Sequence, residues 1–115
     1  MSNQETLFTK IINREIPAEI IYEDDLCLAF NDINPQAPLH ALLIPKKPIT
    51  KLSQGTPDDQ SLLGHLMVTA PEIAKQQGYE DGFRIVVNNG EAAGQTVFHL
   101  HIHILAGRDL NWPPG

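Results

Sequence analysis

Within a stretch near the C-terminus, residues 97–105, polar and apolar residues alternate strictly over the seven residues 98–104. Such alternation is typical of a half-buried β-strand, in which successive side chains point to opposite faces. The polar positions are His99, His101 and His103, and the apolar positions are Phe98, Leu100, Ile102 and Ile104. The pattern predicts that three imidazoles line one face, about 7 Å apart by two strand rises. The four apolar side chains are expected to anchor the other face in a core.

The remaining pattern predicts one short helix, one long helix and four further strands. Helical spacing indicates an amphipathic helix over residues 6–14. Thr56 as an N-cap and Pro57 as the first helical residue predict the start of the long helix, which Gly78 would end. The strands are predicted at residues 20–23, 26–31, 39–45 and 83–88. Short loops between strands favour antiparallel pairing, so we expect an α+β fold with an antiparallel sheet of about five strands.

Two residues of the long helix need interpretation beyond its apolar stripe. Pro71 falls inside the helix and is expected to kink it, unless the helix breaks near Ala70. His65 lies off the stripe and is interpreted as a solvated residue. The stripe itself consists of Leu62, Leu63, Leu66, Met67, Ala70, Ile73 and Ala74.

Length and charge narrow the classes of function. The chain has 115 residues and a formal net charge of −6. We expect one domain over residues 1–115, with residues 106–115 as an irregular C-terminal tail. The negative charge argues against a nucleic acid polymer as partner, because such binding needs basic patches. A small phosphate ligand stays compatible with it, since a few local donors suffice.

The sequence predicts a cytoplasmic protein without a membrane partner. No stretch approaches the roughly 20 apolar residues that a membrane helix needs, and residues 1–5 lack the features of a signal peptide. The single cysteine, Cys27, cannot form an internal disulfide, which fits a reducing compartment. Because Cys27 lies in a predicted strand, we expect a small buried side chain rather than a reactive thiol.

Other polar residues can converge on the histidine stretch. His40 begins a predicted central strand, Asn88 ends the strand before the histidines, and the Gly94-Gln95-Thr96 turn enters the histidine stretch. Asp32 lies in a proline-containing loop that can reach the same end. Each also has a purely structural interpretation: an Asx turn for Asp32, a strand-end cap for Asn88 and a simple turn for Gly94.

Two chemistries fit three neighbouring imidazoles. Imidazole binds zinc well, but neighbours on one strand present their nitrogens nearly in a row, and a closed site needs a ligand from a second strand, for which His40 is a candidate. The other chemistry is nucleophilic catalysis at phosphorus, because neutral imidazole is a good nucleophile near neutral pH. Its neighbours and the backbone N–H groups of the 94–96 turn can stabilise the developing charge. His101, flanked by the other two histidines, is then the natural nucleophile.

These residues carry a family resemblance. His-Leu-His-Ile-His-Ile-Leu, residues 99–105, is similar to the motif that names the histidine-triad (HIT) superfamily, and the terminal Trp-Pro-Pro-Gly resembles its Hint branch, the purine nucleoside phosphoramidases. The resemblance covers nearly the whole chain. Further matching segments are Phe8-Thr9-Lys10-Ile11-Ile12, Glu15-Ile16-Pro17-Ala18, Tyr22-Glu23-Asp24-Asp25, Ala29-Phe30-Asn31-Asp32-Ile33-Asn34-Pro35, His40, Leu43-Ile44-Pro45-Lys46-Lys47 and Gly94-Gln95.

The resemblance implies a HIT-like fold and a hydrolase that cleaves the P–N bond of purine nucleoside 5′-phosphoramidates. His101 would attack the α-phosphorus, giving a nucleotidylated histidine that water hydrolyses to the nucleoside monophosphate. His99 would orient His101 through its backbone carbonyl, His103 would contact phosphate oxygens, and His40 would support the cluster. No cofactor and no metal are implied.

The resemblance also implies the residues that bind the purine nucleotide. Asp32 would hold the ribose hydroxyls beside the backbone of Ile33, and Asn88 with the Gly94-Gln95-Thr96 turn would cradle the phosphate. Many relatives have Ser where this chain has Thr96, which retains the hydroxyl that donates a proton to the leaving amine. The apolar slot for the base would consist of Phe8, Ile11, Phe30, Ile33 and Leu42, of which Phe30 and Ile33 are otherwise explained as core.

Three alternative functions stay open, and the resemblance also implies an oligomeric state. The alternatives are a dinucleoside polyphosphate hydrolase, a metal-dependent hydrolase, and a non-catalytic purine nucleotide-binding or scaffold protein. Assays on both substrates, chelation and replacement of His101 would separate them. Since family members are usually homodimers with a continuous sheet, the resemblance also implies a homodimer.

Overall fold

The structure is a computed structural model that describes residues 5–115. Residues 1–4, on which the expected lack of a signal peptide partly depends, lie outside the described residues. The helices are α1 (Leu7–Ile12) and α2 (Gln60–Gln76), and the strands are β1 (Ile20–Glu23), β2 (Cys27–Asn31), β3 (Leu39–Pro45), β4 (Phe83–Val86) and β5 (Ile102–Ala106). Short 3₁₀ turns occur at Leu52–Gln54, Pro57–Asp59 and Glu91–Ala93. Within residues 5–115, no helix has the length and apolar character needed to cross a membrane.

The five strands form one antiparallel sheet in the order β1-β2-β3-β5-β4. This arrangement, with one short and one long helix, confirms the predicted α+β fold. All seven residues of β3 are buried, as expected of a strand that is apolar on both faces and lies in the middle of the sheet. The sheet therefore separates two cores, one on each face.

The α2 face of the sheet carries the larger core, and the α1 face carries the smaller one. Cys27 is fully buried on the α2 face, and burial raises the pKa of its thiol to about 12, as expected of a structural thiol. The α2-face core contains Cys27, Ala29, Leu39, Ala41, Leu43, Ile49, Leu66, Ala70, Ile73, Ala74, Leu100, Ile102, Ile104 and Ala106. The α1-face core contains Phe8, Ile11, Leu28, Phe30, Leu42 and Ile44.

Helix α1 is short and well capped. The Thr6 side chain accepts hydrogen bonds from the backbone N–H groups of Phe8 and Thr9, and Thr9 reciprocates to Thr6 in a capping box. The helix ends at Ile12, two residues before the predicted end. It buries Phe8 and Ile11, which places both side chains on the face where the histidines lie.

The predicted cap at Thr56 is confirmed, but the residues after it form a 3₁₀ turn, Pro57–Asp59, and α2 itself begins at Gln60. Thr56 and Asp59 form a capping box around this turn. The helix continues through Pro71, so the alternative of a break near Ala70 does not occur. Met67 was expected in the buried stripe but is 51% exposed, because the helix turns Thr69 toward the sheet instead. His65 was expected to be solvated, but its Nε2 lies 2.7 Å from a carboxylate oxygen of Asp24.

The histidine stretch is a strand over only half of its predicted length. Pairing between β3 and β5 ends at Leu43 and Ile102. Beyond this point the backbone N–H of Leu100 donates to the carbonyl of Ile49 at 2.7 Å instead of joining the ladder. The predicted alternation of faces persists, since Leu100 stays in the α2-face core, but Phe98 is 41% exposed and anchors no core.

The C-terminal tail contains no strand or helix after β5 ends at Ala106. Two arginines hold it: Arg84 of β4 donates to the carbonyl of Leu110 at 2.7 Å, and Arg108 donates to the carbonyl of Gln36 at 2.8 Å. Strand β4 ends at Val86 rather than at the predicted Asn88. It lies at one edge of the sheet.

The buried face of β5 generates a stability prediction with a matched control. Ile104 is fully buried and Ile33 is 99% exposed. Ile104→Ala is expected to lower the free energy of unfolding by about 2–5 kcal/mol, since it removes buried methyl groups and leaves a cavity. Ile33→Ala should change it by no more than about 0.5 kcal/mol. Urea unfolding of both variants measures the difference; equal losses would contradict the described core.

Candidate active site

The three histidines lie where the chain enters β5. His103 is paired with Leu42 of β3, and His101 and His99 precede the strand. The ring centroids of His101 and His103 are 5.2 Å apart. Phe8 of α1 packs edge-on against His101 at a centroid distance of 5.0 Å. The rings are therefore brought closer together than the roughly 7 Å repeat of one regular strand.

The ring of His99 is buried and is oriented by the backbone of β3. The side chain is 1% exposed, and its Nε2 lies 2.7 Å from the carbonyl oxygen of Pro45. Because a carbonyl only accepts, Nε2 carries the hydrogen and donates it. Nδ1 has no hydrogen-bond partner within residues 5–115. Burial lowers the pKa of His99, so the ring is neutral.

His101 is held in one tautomer by the backbone of His99. The Nδ1 atom of His101 lies 2.7 Å from the carbonyl oxygen of His99, so Nδ1 donates and Nε2 keeps its lone pair. Burial lowers the pKa of His101, which keeps the ring neutral at neutral pH. The side chain lines a cavity on the α1 face. His101 is therefore a neutral imidazole with a basic nitrogen available to a ligand.

A chain of hydrogen bonds also sets the tautomer of His103. The backbone N–H of Gln36 donates to Nδ1 of His40 at 2.9 Å, which leaves the hydrogen of neutral His40 on Nε2. That Nε2 lies 3.0 Å from Nδ1 of His103 and donates to it. His103 must then carry its own hydrogen on Nε2. His103 also lines the cavity, and this N–H is a donor for an anionic ligand.

Burial keeps the histidine cluster uncharged. The pKa of His103 is lowered to about 4, first by burial and then by the charges that His101 and His40 would carry. Burial also lowers the pKa of His40, although the nearby carboxylate of Asp32 opposes the shift. At neutral pH the site therefore offers neutral donors and one neutral nucleophile.

The cavity on the α1 face has a volume of about 420 Å³, which is the size of a small-molecule site. The predicted residues that line it include the whole expected base slot, together with Asp32, Thr96, His101 and His103. The slot residues are Phe8, Ile11, Phe30, Ile33 and Leu42. The exposed Ile33 forms part of the rim, so it is not the core residue that its type alone would indicate.

Asp32 has both of the features that the sequence left open. Its Oδ1 accepts a hydrogen bond from the backbone N–H of Asn34 at 2.8 Å, which is an Asx turn. Its Oδ2 lies 3.5 Å from Nε2 of His40, and the residue lines the cavity. The turn therefore positions a carboxylate beside the histidine cluster.

The Gly94-Gln95-Thr96 turn is braced from inside. Gly94 has a left-handed φ of 92°, which glycine adopts without strain. The buried Gln95 side chain donates to the carbonyls of Thr50 and Val97 at 2.9 and 3.1 Å, and accepts from the N–H of Gly90 at 2.8 Å.

The predicted phosphate cradle therefore divides into supporting and lining residues. Asn88 donates to the carbonyl of Ala93 at 2.8 Å, so its amide N–H group and the Gln95 side chain hold the loop. Thr96 is the member of the predicted cradle whose side chain lines the cavity.

Several residues of the site were not predicted from the sequence. The carbonyl of Pro45 and the N–H of Gln36 set ring orientations through the backbone, and no residue type signals such a role. The cavity is also lined by Leu7, Ile16, Pro17, Ala18, Asn31 and Val97. The segment around Ile16 had a signal, since Ile-Pro after a helix predicts an extended turn, but its contact with the slot depends on the tertiary fold.

The site also has ligands for a metal ion. One donor atom from each of Asp32, His40 and His103 lies within 4.8 Å of the other two. These ligands come from a loop and two strands, which avoids the linear array expected of three histidines on one strand. The metal-dependent alternative is thus compatible with the donor set, although it uses His40 in place of His101.

Comparisons with known proteins identify the family. The HIT domain model matches residues 13–110. An uncharacterized HIT-like protein of Synechocystis is 64% identical over 112 residues, which cover 97% of this chain and 98% of that protein. A maize protein named 14 kDa zinc-binding protein is 48% identical over 117 residues, covering 100% of this chain and 91% of that one.

The structural likeness is equally extensive. The crystal structure of a HIT family hydrolase from Legionella pneumophila superposes with a TM-score of 0.94 at 45% sequence identity. The match covers 96% of this chain and 100% of that chain. A histidine triad protein from Clostridium difficile superposes with a TM-score of 0.89, also at 45% identity.

The lowered pKa values generate a prediction about stability and pH. A histidine whose pKa is lower in the folded state stabilises the fold above its unfolded pKa of about 6.5, and this contribution is lost as the pH falls. For His103 the loss should extend from about pH 6.5 down to the folded pKa of about 4. Urea unfolding between pH 7.5 and 4 measures this decline. His103→Asn should show a shallower decline than the wild type, and parallel curves would contradict the assignment.

Proposed function

The chain belongs to the HIT family, and on that premise we propose that it is a purine nucleoside phosphoramidase of the Hint branch. It has the fold of HIT family hydrolases. The proposed reaction cleaves the P–N bond of an adenosine or guanosine 5′-phosphoramidate and releases the nucleoside monophosphate. The observation that carries the proposal is the hydrogen bond between Nδ1 of His101 and the carbonyl of His99, because it leaves a basic Nε2 for attack.

In the first step, Nε2 of His101 forms a bond to the α-phosphorus. The P–N bond to the amine breaks, and its electron pair leaves with the amine nitrogen, which takes a proton from the Thr96 hydroxyl. Negative charge on the non-bridging oxygens is stabilised by the Nε2–H group of His103 and by the backbone N–H group of Thr96. The N–H groups of Gly94 and Gln95 do not take part, because they donate to the carbonyls of Glu91 and Gly90. The product is a nucleotidylated His101 and a free amine.

In the second step, water attacks the same phosphorus. The bond between phosphorus and Nε2 breaks, its electron pair returns to His101, and the nucleoside monophosphate is released. One proton of the water restores the Thr96 hydroxyl, and the other stays on the product phosphate, from which it ionises to solvent. The lowered pKa of His101 supports this step as well, because a less basic imidazole is a better leaving group.

The rest of the cavity supports a purine nucleotide as the ligand. The apolar slot provides surface for a flat base on the α1 face, with the Phe8 and Phe30 rings 5.4 Å apart in an edge arrangement. The Asp32 carboxylate lies between the slot and the histidines and is placed to accept hydrogen bonds from ribose hydroxyls. The methyl group that distinguishes Thr96 from serine is expected to change which leaving amines the site prefers.

Three other functions share parts of this site. A dinucleoside polyphosphate hydrolase would use the same nucleophile with a phosphate leaving group. A metal-dependent hydrolase is supported by the spacing of Asp32, His40 and His103, and a maize relative is named a zinc-binding protein. A non-catalytic nucleotide-binding protein would need only the slot and Asp32. That function does not require the lowered pKa and the fixed tautomer of His101.

The proposal includes a homodimer. Strand β4 is an edge of the sheet, so one side of its backbone is available to pair with a second copy. Met67 and Val68 of α2 are 51% and 75% exposed, which provides apolar surface beside such pairing. Sedimentation of the full chain measures its mass in solution.

The proposed mechanism predicts activity without metal. In excess EDTA, the wild type is expected to hydrolyse adenosine 5′-phosphoramidate to AMP. His101→Ala should lose on the order of 10⁴-fold or more in kcat, the scale of losses when a covalent nucleophile is removed. Binding of AMP should remain, because the slot and Asp32 are intact. Release of AMP is followed by chromatography.

A second histidine variant controls for general effects. His65→Ala changes a histidine on the opposite face of the sheet and should retain activity. Loss of wild-type activity in EDTA with recovery in zinc would favour the metal-dependent alternative. Binding of AMP without turnover by the wild type would favour the binding protein, and faster turnover of diadenosine polyphosphates would favour that hydrolase.

The assigned role of Asp32 predicts a coupling to the ribose. Asp32→Asn keeps the Oδ1 acceptor of the Asx turn and removes the charge. It is expected to raise KM for adenosine 5′-phosphoramidate about tenfold, the scale of one charge-assisted hydrogen bond. A 2′,3′-dideoxy substrate should cost the wild type a similar factor and cost the variant almost nothing more. Fully additive losses would contradict the contact between Asp32 and the ribose.

A further inference from the structure

A second group of metal-ligand side chains lies on the opposite face of the sheet, where α2 meets the turn between β1 and β2. Asp24 is in the turn, Cys27 begins β2, and His65 is on α2. One donor atom from each of the three lies within 4.8 Å of the other two. We propose that Asp24, Cys27 and His65 form a zinc site that is separate from the active site.

The distances between the donor atoms suit a tetrahedral ion after a small adjustment. The Oδ1 atom of Asp24 is 3.4 Å from Sγ of Cys27, and its Oδ2 atom is 2.7 Å from Nε2 of His65. Zinc bonds of about 2.0–2.3 Å place tetrahedral ligand atoms roughly 3.3–3.7 Å apart. The sulfur and carboxylate already have this spacing. Because Oδ1 faces Sγ and Oδ2 faces Nε2, the common limit on the three donor atoms is the 4.8 Å that separates them at most. A shift of about 1 Å by the partly exposed His65 side chain brings them to the tetrahedral spacing.

The chemistry of the donors selects zinc. Thiolate, imidazole and carboxylate are the protein ligands of zinc, whereas magnesium and calcium require oxygen ligands. On binding, the Cys27 thiol releases its proton to solvent. The hydrogen that Nε2 of His65 donates to Asp24 is also lost from that atom, so that His65 carries its hydrogen on Nδ1 and supplies the Nε2 lone pair. The Asp24 carboxylate binds in its ionised form. Two negative ligands then balance the charge of the ion. The His65 and Asp24 side chains are 33% and 27% exposed, so a water molecule can complete the coordination.

The surroundings hold the Asp24 carboxylate in place. Its Oδ1 atom accepts the backbone N–H groups of Leu26 and Cys27 at 2.8 and 2.9 Å. Its Oδ2 atom accepts the hydroxyl of Tyr22 at 2.9 Å. Such outer hydrogen bonds orient metal ligands and contribute to affinity. The turn therefore presents the carboxylate in a fixed position before any ion binds.

The site is independent of the proposed reaction. Cys27 packs in the α2-face core, whereas His101 and His103 line the cavity on the α1 face. The sheet lies between them, so zinc at Cys27 does not touch a nucleotide in the cavity. It instead links α2 to the β1–β2 turn and adds to the stability of the folded chain, since an ion that binds only the folded state stabilises it.

Cobalt is the probe that distinguishes this site from the active site. The chain has a single cysteine, so a thiolate-to-cobalt charge-transfer band in the near ultraviolet reports only on Cys27. The reduced, EDTA-treated full chain is titrated with Co²⁺ after the chelator is removed. We expect the band to saturate at one ion per chain and to disappear when Zn²⁺ is added.

Variants of the ligands and their surroundings complete the test. His65→Gln and Asp24→Asn should abolish the band, and Tyr22→Phe should weaken cobalt affinity by about 10–100-fold. His103→Asn is the matched control and should keep the band. His65→Gln changes a partly exposed helix position, so its circular dichroism should match the wild type.

Two outcomes would overturn the proposal. One is a wild-type titration in which the thiolate-to-cobalt band does not appear. If zinc nevertheless binds to the wild type and no longer binds to His103→Asn, the ion lies in the active site. The other is a band that survives in His65→Gln. Neither outcome bears on the phosphoramidase proposal, which is tested in EDTA.

Discussion

The hydrogen bond from Nδ1 of His101 to the carbonyl of His99 is the constraint on which the site depends. It exists because the chain joins the β3–β5 ladder only after His101. Before that point, the backbone N–H of Leu100 donates to the carbonyl of Ile49, and the ring of His99 donates to the carbonyl of Pro45. A regular strand would commit these backbone groups to the ladder. The departure from regular pairing therefore leaves Nε2 of His101 as the acceptor that the proposed reaction uses.

Burial determines the charge state of the histidines in the site. Four imidazoles within one cluster would repel one another if charged, and burial lowers the pKa of each of them. The neutral rings form two hydrogen-bonded series, one ending at Nε2 of His101 as an acceptor and the other at Nε2 of His103 as a donor. An acceptor nitrogen and a donor N–H group thus lie side by side without a positive charge. In the proposed reaction these are the nucleophile and the donor to phosphate.

The sequence predicted the fold and the general position of the site, but not its finer geometry. Alternation of apolar and polar residues located β5 and predicted which faces of the sheet Leu100 and His103 occupy, because burial depends on local periodicity. It failed at Phe98 and at the start of β5, where tertiary hydrogen bonds replace the ladder. It also missed the pairing of His65 with Asp24, since neither residue signals a partner 41 positions away. The roles of Pro45 and Gln36 are carried by the backbone and leave no mark in residue type.

The buried amide of Gln95 has a consequence for how this site can vary. It is bonded to Thr50, which follows β3, and to Gly90 and Val97, which flank it in the loop between β4 and β5. Gln95 therefore ties that loop to the segment after β3. These bonds restrain the backbone around position 96. In the proposed reaction, the difference between serine and threonine there consequently changes the shape of the site around the leaving group rather than the position of the loop.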